Sequence, residues 1–144
     1  MKILDDYMPL SSGEEVEESL EGDAYTLSSN IIGRLLAFIT RIISIILGSP
    51  RKILLVTTNK RVIQISRQKF LWFFDGSVTA LSFTPRSISS TGYQLERFLL
   101  IFKTHYLLFQ SSSNSVLIKS RDGKSKVDSM ISSIAGLAEK VFQK

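Results

Sequence analysis

Beyond Pro50 the apolar residues stop recurring at helical spacing and begin to alternate. This change of period constrains the fold of the 144-residue chain more than any other feature. The stretch "RKILLVTTNKRVIQISR" reads as two strands, residues 53–58 and 61–67, joined at Asn59-Lys60, where asparagine tolerates positive φ in a tight hairpin. In the second of them Val62, Ile63 and Ile65 alternate only imperfectly with Arg61, Gln64 and Ser66. The aromatic run "KFLWFFDG" follows, with Asp75-Gly76 as its turn signal, and then the strand "SVTALSF", closed by Pro85. "SISSTGY" reads as a short edge strand. "RFLLIFK" and "HYLLFQ" are strongly β in composition, with Thr104-His105 read as their turn, and "SVLIK" is the last strand before the turn "RDGK".

Ahead of Pro50 lies the most hydrophobic segment, "SSNIIGRLLAFITRIISIILGS", residues 28–49. Its serines and Asn30 are good helix N-caps, Gly48 suits the left-handed C-terminal position, and Pro50 blocks continuation. On a helical wheel the polar and small residues Asn30, Gly33, Arg34, Ala37, Thr40, Arg41, Ser44 and Gly48 share an arc of roughly 120°; the apolar residues fill about 200°. A membrane span fits poorly. The apolar run is short, and Arg34 and Arg41 would each cost about 2.5–3.5 kcal/mol near a bilayer centre. An apolar arc this wide exceeds what one core needs, so one side of the helix is left to meet a partner or a bilayer surface, unless a deep groove takes all of it. The residues of that face are Leu35, Phe38, Ile39, Ile42, Ile43 and Ile46.

The chain ends in a second amphipathic helix, residues 125–143, with Val127, Met130, Ile131, Ile134, Leu137, Ala138, Val141 and Phe142 on one face. Ser125 and Asp128 resemble a capping box. The expected fold is α+β, mainly β: an antiparallel barrel of about seven strands capped by this helix, with an inserted amphipathic helix near residues 29–47. Residues 1–11 read as an N-terminal arm and 12–144 as a single domain.

Three pieces carry a resemblance to the bacterial pleckstrin-homology-like domains, relatives in fold of pleckstrin-homology and GRAM domains. "SGEEVEESLEGDAYTLS" is similar to their Gly-Glu entry into the first strand. "ILLVTTNKRVIQIS" resembles their second and third strands with the hairpin between, and "VDSMISSIAGLAEKVF" takes the place of their capping helix. The resemblance implies a small capped barrel and a non-catalytic scaffold of a kind that tends to assemble. The 29–47 helix departs from the pattern, because it interrupts the first strand-to-strand connection. That connection holds the bases that grip inositol lipids in other members, so inositol-lipid binding is not carried over.

Charge is split along the chain. Residues 1–30 hold eight acids (Asp5, Asp6, Glu14, Glu15, Glu17, Glu18, Glu21, Asp23) against Lys2, a balance of −7, while the remainder carries +12. Such asymmetry fits an acidic arm over a basic body, a basic face for phosphates, or scattered solvated charge. There is no cysteine, which excludes disulfides and thiol chemistry. The start lacks the basic-then-apolar order of a secretory signal, so the expected location is cytoplasmic, with peripheral contact at the inner face of the membrane as the variant. His105 is the one histidine, and no nucleophile elbow, phosphate loop or dinucleotide fingerprint is present. The expectation is no catalytic site, no metal and no cofactor.

Two functional readings lead. In the first, the chain self-associates or binds a protein partner through the 29–47 helix, aided by the "FLWFF" run. In the second, the same helix lies on an anionic membrane surface, with Arg34, Arg41, Arg51 and Lys52 near the headgroups. Nucleic-acid binding ranks third. It would use the bases of the body, Lys60 and Arg61 among them, with Trp72 and Phe73 stacking on bases, although strand aromatics more often fill a core or a subunit contact.

Overall fold

The computed structural model describes residues 2–25, 42, 43, 46, 51–71, 74–98, 102–112 and 114–142. Seven antiparallel strands form one sheet: β1 (Val16–Tyr25), β2 (Arg51–Thr58), β3 (Val62–Phe70), β4 (Phe74–Phe83), β5 (Ile88–Phe98), β6 (Phe102–Ser111) and β7 (Ser115–Ser120). A short helix α1 (Lys2–Tyr7) precedes them, a single 3-10 turn (Pro85–Ser87) links β4 to β5, and the long helix α2 (Gly123–Phe142) follows.

The strand order is β4-β3-β2-β1-β7-β6-β5. In a flat sheet β4 and β6 would lie roughly 24 Å apart, five strand spacings. Yet the rings of Phe83 on β4 and Phe109 on β6 meet edge to face with centroids 5.2 Å apart. The sheet therefore curls strongly around a common core. It does not close: β4 and β5 are the two edges and do not pair, so the expected barrel is an open one with a seam.

β1 makes the curl possible. Its residues from Val16 to Asp23 pair with β2, and those from Gly22 to Tyr25 pair with β7, so one strand serves two parts of the sheet. Gly22 lies where these pairings overlap. A Cβ there would sit 2.1 Å from the Lys119 carbonyl oxygen, so only glycine permits the approach.

Inside the curl, Leu20, Ile53, Leu55, Val62, Leu107 and Ile118 are buried against Val127, Met130, Ile134 and Leu137 of α2. The spacing of those four helix residues draws a single stripe, as the sequence predicts. α2 begins at Gly123, in positive φ, two residues ahead of the expected start. Ser125 is thus inside the helix, and Asp128 pairs with Lys124 at 3.3 Å instead of closing a capping box.

On the opposite face a smaller cluster buries Leu4 of α1 with Val56, Ile63 and Ile65, flanked by Met8 and Leu10. The N-terminal segment is thus packed onto the sheet. It also explains the imperfect alternation of β3: Val62 to Ser66 are buried without a break, because the strand is covered on both faces.

Two expected turns fall inside strands. Thr104 and His105 lie within β6, with His105 opposite Leu95, so the β5–β6 connection comes between Phe98 and Phe102. The edge strand beginning near Ile88 is accordingly 11 residues long. Asp75 and Gly76 belong to β4, opposite a bulge between Arg67 and Lys69. A Cβ on Gly76 would stand 2.7 Å from the Gln68 carbonyl oxygen. That glycine serves the bulge and not the turn.

Candidate functional site

Acids of the first strand region meet bases of the body. Glu14 is the most deeply held: its carboxylate accepts hydrogen bonds from Arg61 Nε (2.8 Å) and Nη2 (3.0 Å), the Thr58 hydroxyl (2.8 Å) and the Ser11 backbone N–H (2.8 Å). Burial opposes its charge, but the Arg61 hydrogen bond, those from Ser11 and Thr58, and the guanidinium charge outweigh it and hold the carboxyl at about 2. Glu18 follows the same logic. Burial opposes its ionisation, and hydrogen bonds from Lys126, Ser129 and its neighbour's N–H, with the Lys126 charge, keep it below the usual carboxylate range. Glu17 pairs with Lys140 at 2.8 Å and Asp23 with Arg121 at 3.3 Å. The acidic stretch does fold against the basic body, and its ion pairs fasten β1 to α2 and to the β2–β3 turn.

That arrangement engages both bases of the β2–β3 turn. Arg61 is locked on Glu14, and Lys60 Nζ donates to the Ser12 carbonyl at 2.6 Å. They also lie about 26 Å, the length of β2, from Arg51 and Lys52. Of the expected basic surface, Lys60 and Arg61 thus stand at one end of β2 and Arg51 and Lys52 at the other. At its far end, Arg51 shares the inner face with Ile53, while Lys52 points outward with Leu54; Arg67 joins Lys52 there, and Glu21 lines the same shallow depression. Arg34 and Arg41 lie outside the described residues.

The same end of the sheet gathers exposed apolar side chains. Phe70 and Phe74 are the last described pair of the β3–β4 hairpin, with Leu71 at φ 49 beyond them. These residues are 55%, 64% and 44% exposed, so the aromatic run does not fill the core at these positions. Trp72 and Phe73, at its centre, lie outside the described residues. Of the expected contact face, Ile42, Ile43 and Ile46 are helical and exposed, Ile46 by 71%. Leu35, Phe38 and Ile39 lie outside the described residues. Ile46 is five residues from Arg51, so its Cα is within about 18 Å of the strand start. The hairpin tip lies at the end of the sheet where β1 ends and β2 begins.

Within that end opens a cleft of about 140 Å³. Arg51 stands at its rim, Ile53 and Val116 line its apolar part, and Gln64, Ser66, Thr79, Asn114 and Ser115 supply polar groups. Asn114 Nδ2 donates to Gln64 Oε1 at 3.1 Å, a bridge from the β6–β7 connection to β3. Nothing in the strand pattern singles these residues out. Their convergence depends on the curl, which brings together positions 50 residues apart in sequence.

His105 is remote from the cleft. Its Nδ1 lies 2.7 Å from the Tyr93 hydroxyl, and Lys124 Nζ stands 5.7 Å above the Tyr93 ring. This is a surface cross-strand pairing between β5 and β6. Among the described residues no cluster of histidine and carboxylates could hold a metal ion, and no helix is long and apolar enough to cross a membrane. No protein-family model matches the chain, and no curated protein matches it.

Proposed function

We propose that the chain is a non-catalytic interaction module of the bacterial pleckstrin-homology-like type, which self-associates or binds a protein partner through one end of its open barrel. One observation carries the reading: two short stretches, Ile42–Ile43–Ile46 and Phe70–Leu71–Phe74, each leave three large apolar side chains exposed. Scattered single exposures are ordinary, whereas a run of them within a few residues marks a surface that is covered in use. The antiparallel sheet with a terminal helix packed into its concave side supports the family reading.

Size-exclusion chromatography with light scattering tests it. The wild type is expected to run as an oligomer, and Ile46→Glu or Phe74→Glu to shift it toward the monomer without changing the melting temperature, because both side chains are already exposed. A wild-type protein that stays monomeric and captures no protein partner through this end would sink the proposal.

A second reading, contact with an anionic membrane, draws on Arg51, Lys52, Arg67 and Lys69 at the same end, beside the apolar residues. It expects salt-sensitive flotation with anionic vesicles and none with neutral ones. Equal behaviour with both lipid types counts against it.

A further inference from the structure

The cleft at the open end has a chemistry of its own. Gln64 and Ser66 are 4% and 5% exposed, more buried than such side chains normally are without partners. Gln64 Oε1 is occupied by Asn114, which leaves its Nε2 hydrogens free of any described acceptor. The hydroxyls of Ser66, Thr79 and Ser115 likewise hold no hydrogen bond among the described residues. No buried side-chain nitrogen or oxygen is sealed off unsatisfied, so these groups open onto the cleft. Several hydroxyls, an amide and the Arg51 guanidinium thus converge on one small space, and no described carboxylate lines it.

We infer that this cleft is a binding site for a carboxylate group of a small organic acid or of a chain terminus. The donors fit an acceptor with two oxygens: the guanidinium offers a forked pair of N–H groups, and the Gln64 amide and the hydroxyls complete the remaining lone pairs. The charge fits a monoanion. Among the described residues Arg51 is the one base on the inner face here, since Lys52 and Arg67 point to the outer face beside Glu21, and a dianionic phosphate would leave a charge uncompensated. The size also fits. A cleft of about 140 Å³ has room for a carboxylate and a short alkyl stem against Ile53 and Val116.

The test is an amide NMR titration of the whole chain with sodium acetate, its neutral isostere acetamide, and inorganic phosphate, at constant ionic strength. Acetate is expected to move the side-chain amide signals of Gln64 and Asn114 saturably, with acetamide inert and phosphate weaker. Arg51→Gln should weaken acetate binding by about tenfold or more, the share of one charge-assisted contact. Arg51 is exposed, so the variant should keep its fold, and Thr79→Val gives a second, uncharged probe with weakened binding expected. Absence of a saturable response, an equal response to acetamide, tighter binding of phosphate, or an Arg51→Gln variant that binds acetate as well as the wild type would each overturn the assignment.

Discussion

Glu14 shows how one residue can tie together parts of a chain that local patterning leaves separate. Its carboxylate has no described solvent exposure and is paired bidentately with Arg61, 47 residues away. Removing its charge leaves a partly buried guanidinium uncompensated, which costs about 3 kcal/mol. Glu14→Gln should therefore lower the free energy of urea unfolding by about that amount at pH 7. The pH dependence has a definite sign. The folded-state value near 2 lies below the ordinary 4.5, so the stabilisation is complete above pH 4.5 and fades as pH falls toward 2. Between pH 5 and 2 the variant should lose less stability than the wild type, and urea midpoints across that range check it. The sequence displays Glu14 as one acid among eight, and its charge imbalance leaves a fold-over of acids onto bases as one of three readings. It does not say which base Glu14 takes, because pairing across 47 residues follows from the sheet register and from nothing local.

At the scale of elements, legibility depended on whether a segment's role was set within itself. The stripe of α2 was readable because amphipathic period alone decides which face is buried. The turns were not. Asp75-Gly76 has turn composition, but its glycine answers to the Gln68 carbonyl across the strand pair. Thr104 and His105 sit in a stretch whose β composition runs on through both flanks, so no local residue marks the real break. Two element-level outcomes follow. Gly22→Ala forces a Cβ into the Lys119 carbonyl and should cost about 3 kcal/mol in thermal or urea unfolding. Gly92→Ala, whose Cβ would meet Leu108 at an ordinary 3.8 Å, should be neutral or slightly stabilising. On α2, Leu137 is 1% exposed, and Leu137→Ala should cost about 2–5 kcal/mol by opening a cavity between the helix and the sheet.

Over the whole molecule the two ends of the curled sheet do different work. The core is consolidated by the helix stripe and the Phe83–Phe109 contact, and the β2–β3 turn end by the Glu14 lock. The other is left with exposed apolar residues, a polar cleft and unequally paired bases. The exposed ion pairs of β1, with Lys140 of α2 and with Arg121 just ahead of it, stabilise little. Glu17–Lys140 and Asp23–Arg121 are solvent-exposed and contribute on the order of 0.5 kcal/mol each, well below the loss expected from a single core leucine. Of the wide apolar arc expected over residues 29–47, Ile42, Ile43 and Ile46 are exposed, and the rest lies outside the described residues. The hairpin tip was harder to read, because Phe70, Leu71 and Phe74 have the composition of core residues. The register of β3 and β4 is what carries them past the end of the sheet.

The register between β1 and β2 has a further consequence. Asp23 pairs with Lys52, so Tyr25 and Arg51 flank one another at the rim, and residues 26–50 begin and end at neighbouring points. A loop whose ends already lie side by side makes little demand on its own length. Replacing residues 26–50 by a four-residue Gly-containing link should preserve cooperative unfolding, since shortening a loop of this length recovers about 1.6 kcal/mol of closure entropy. Association should disappear in the same protein. A shortened chain that fails to fold would mean that this loop is part of the foundation.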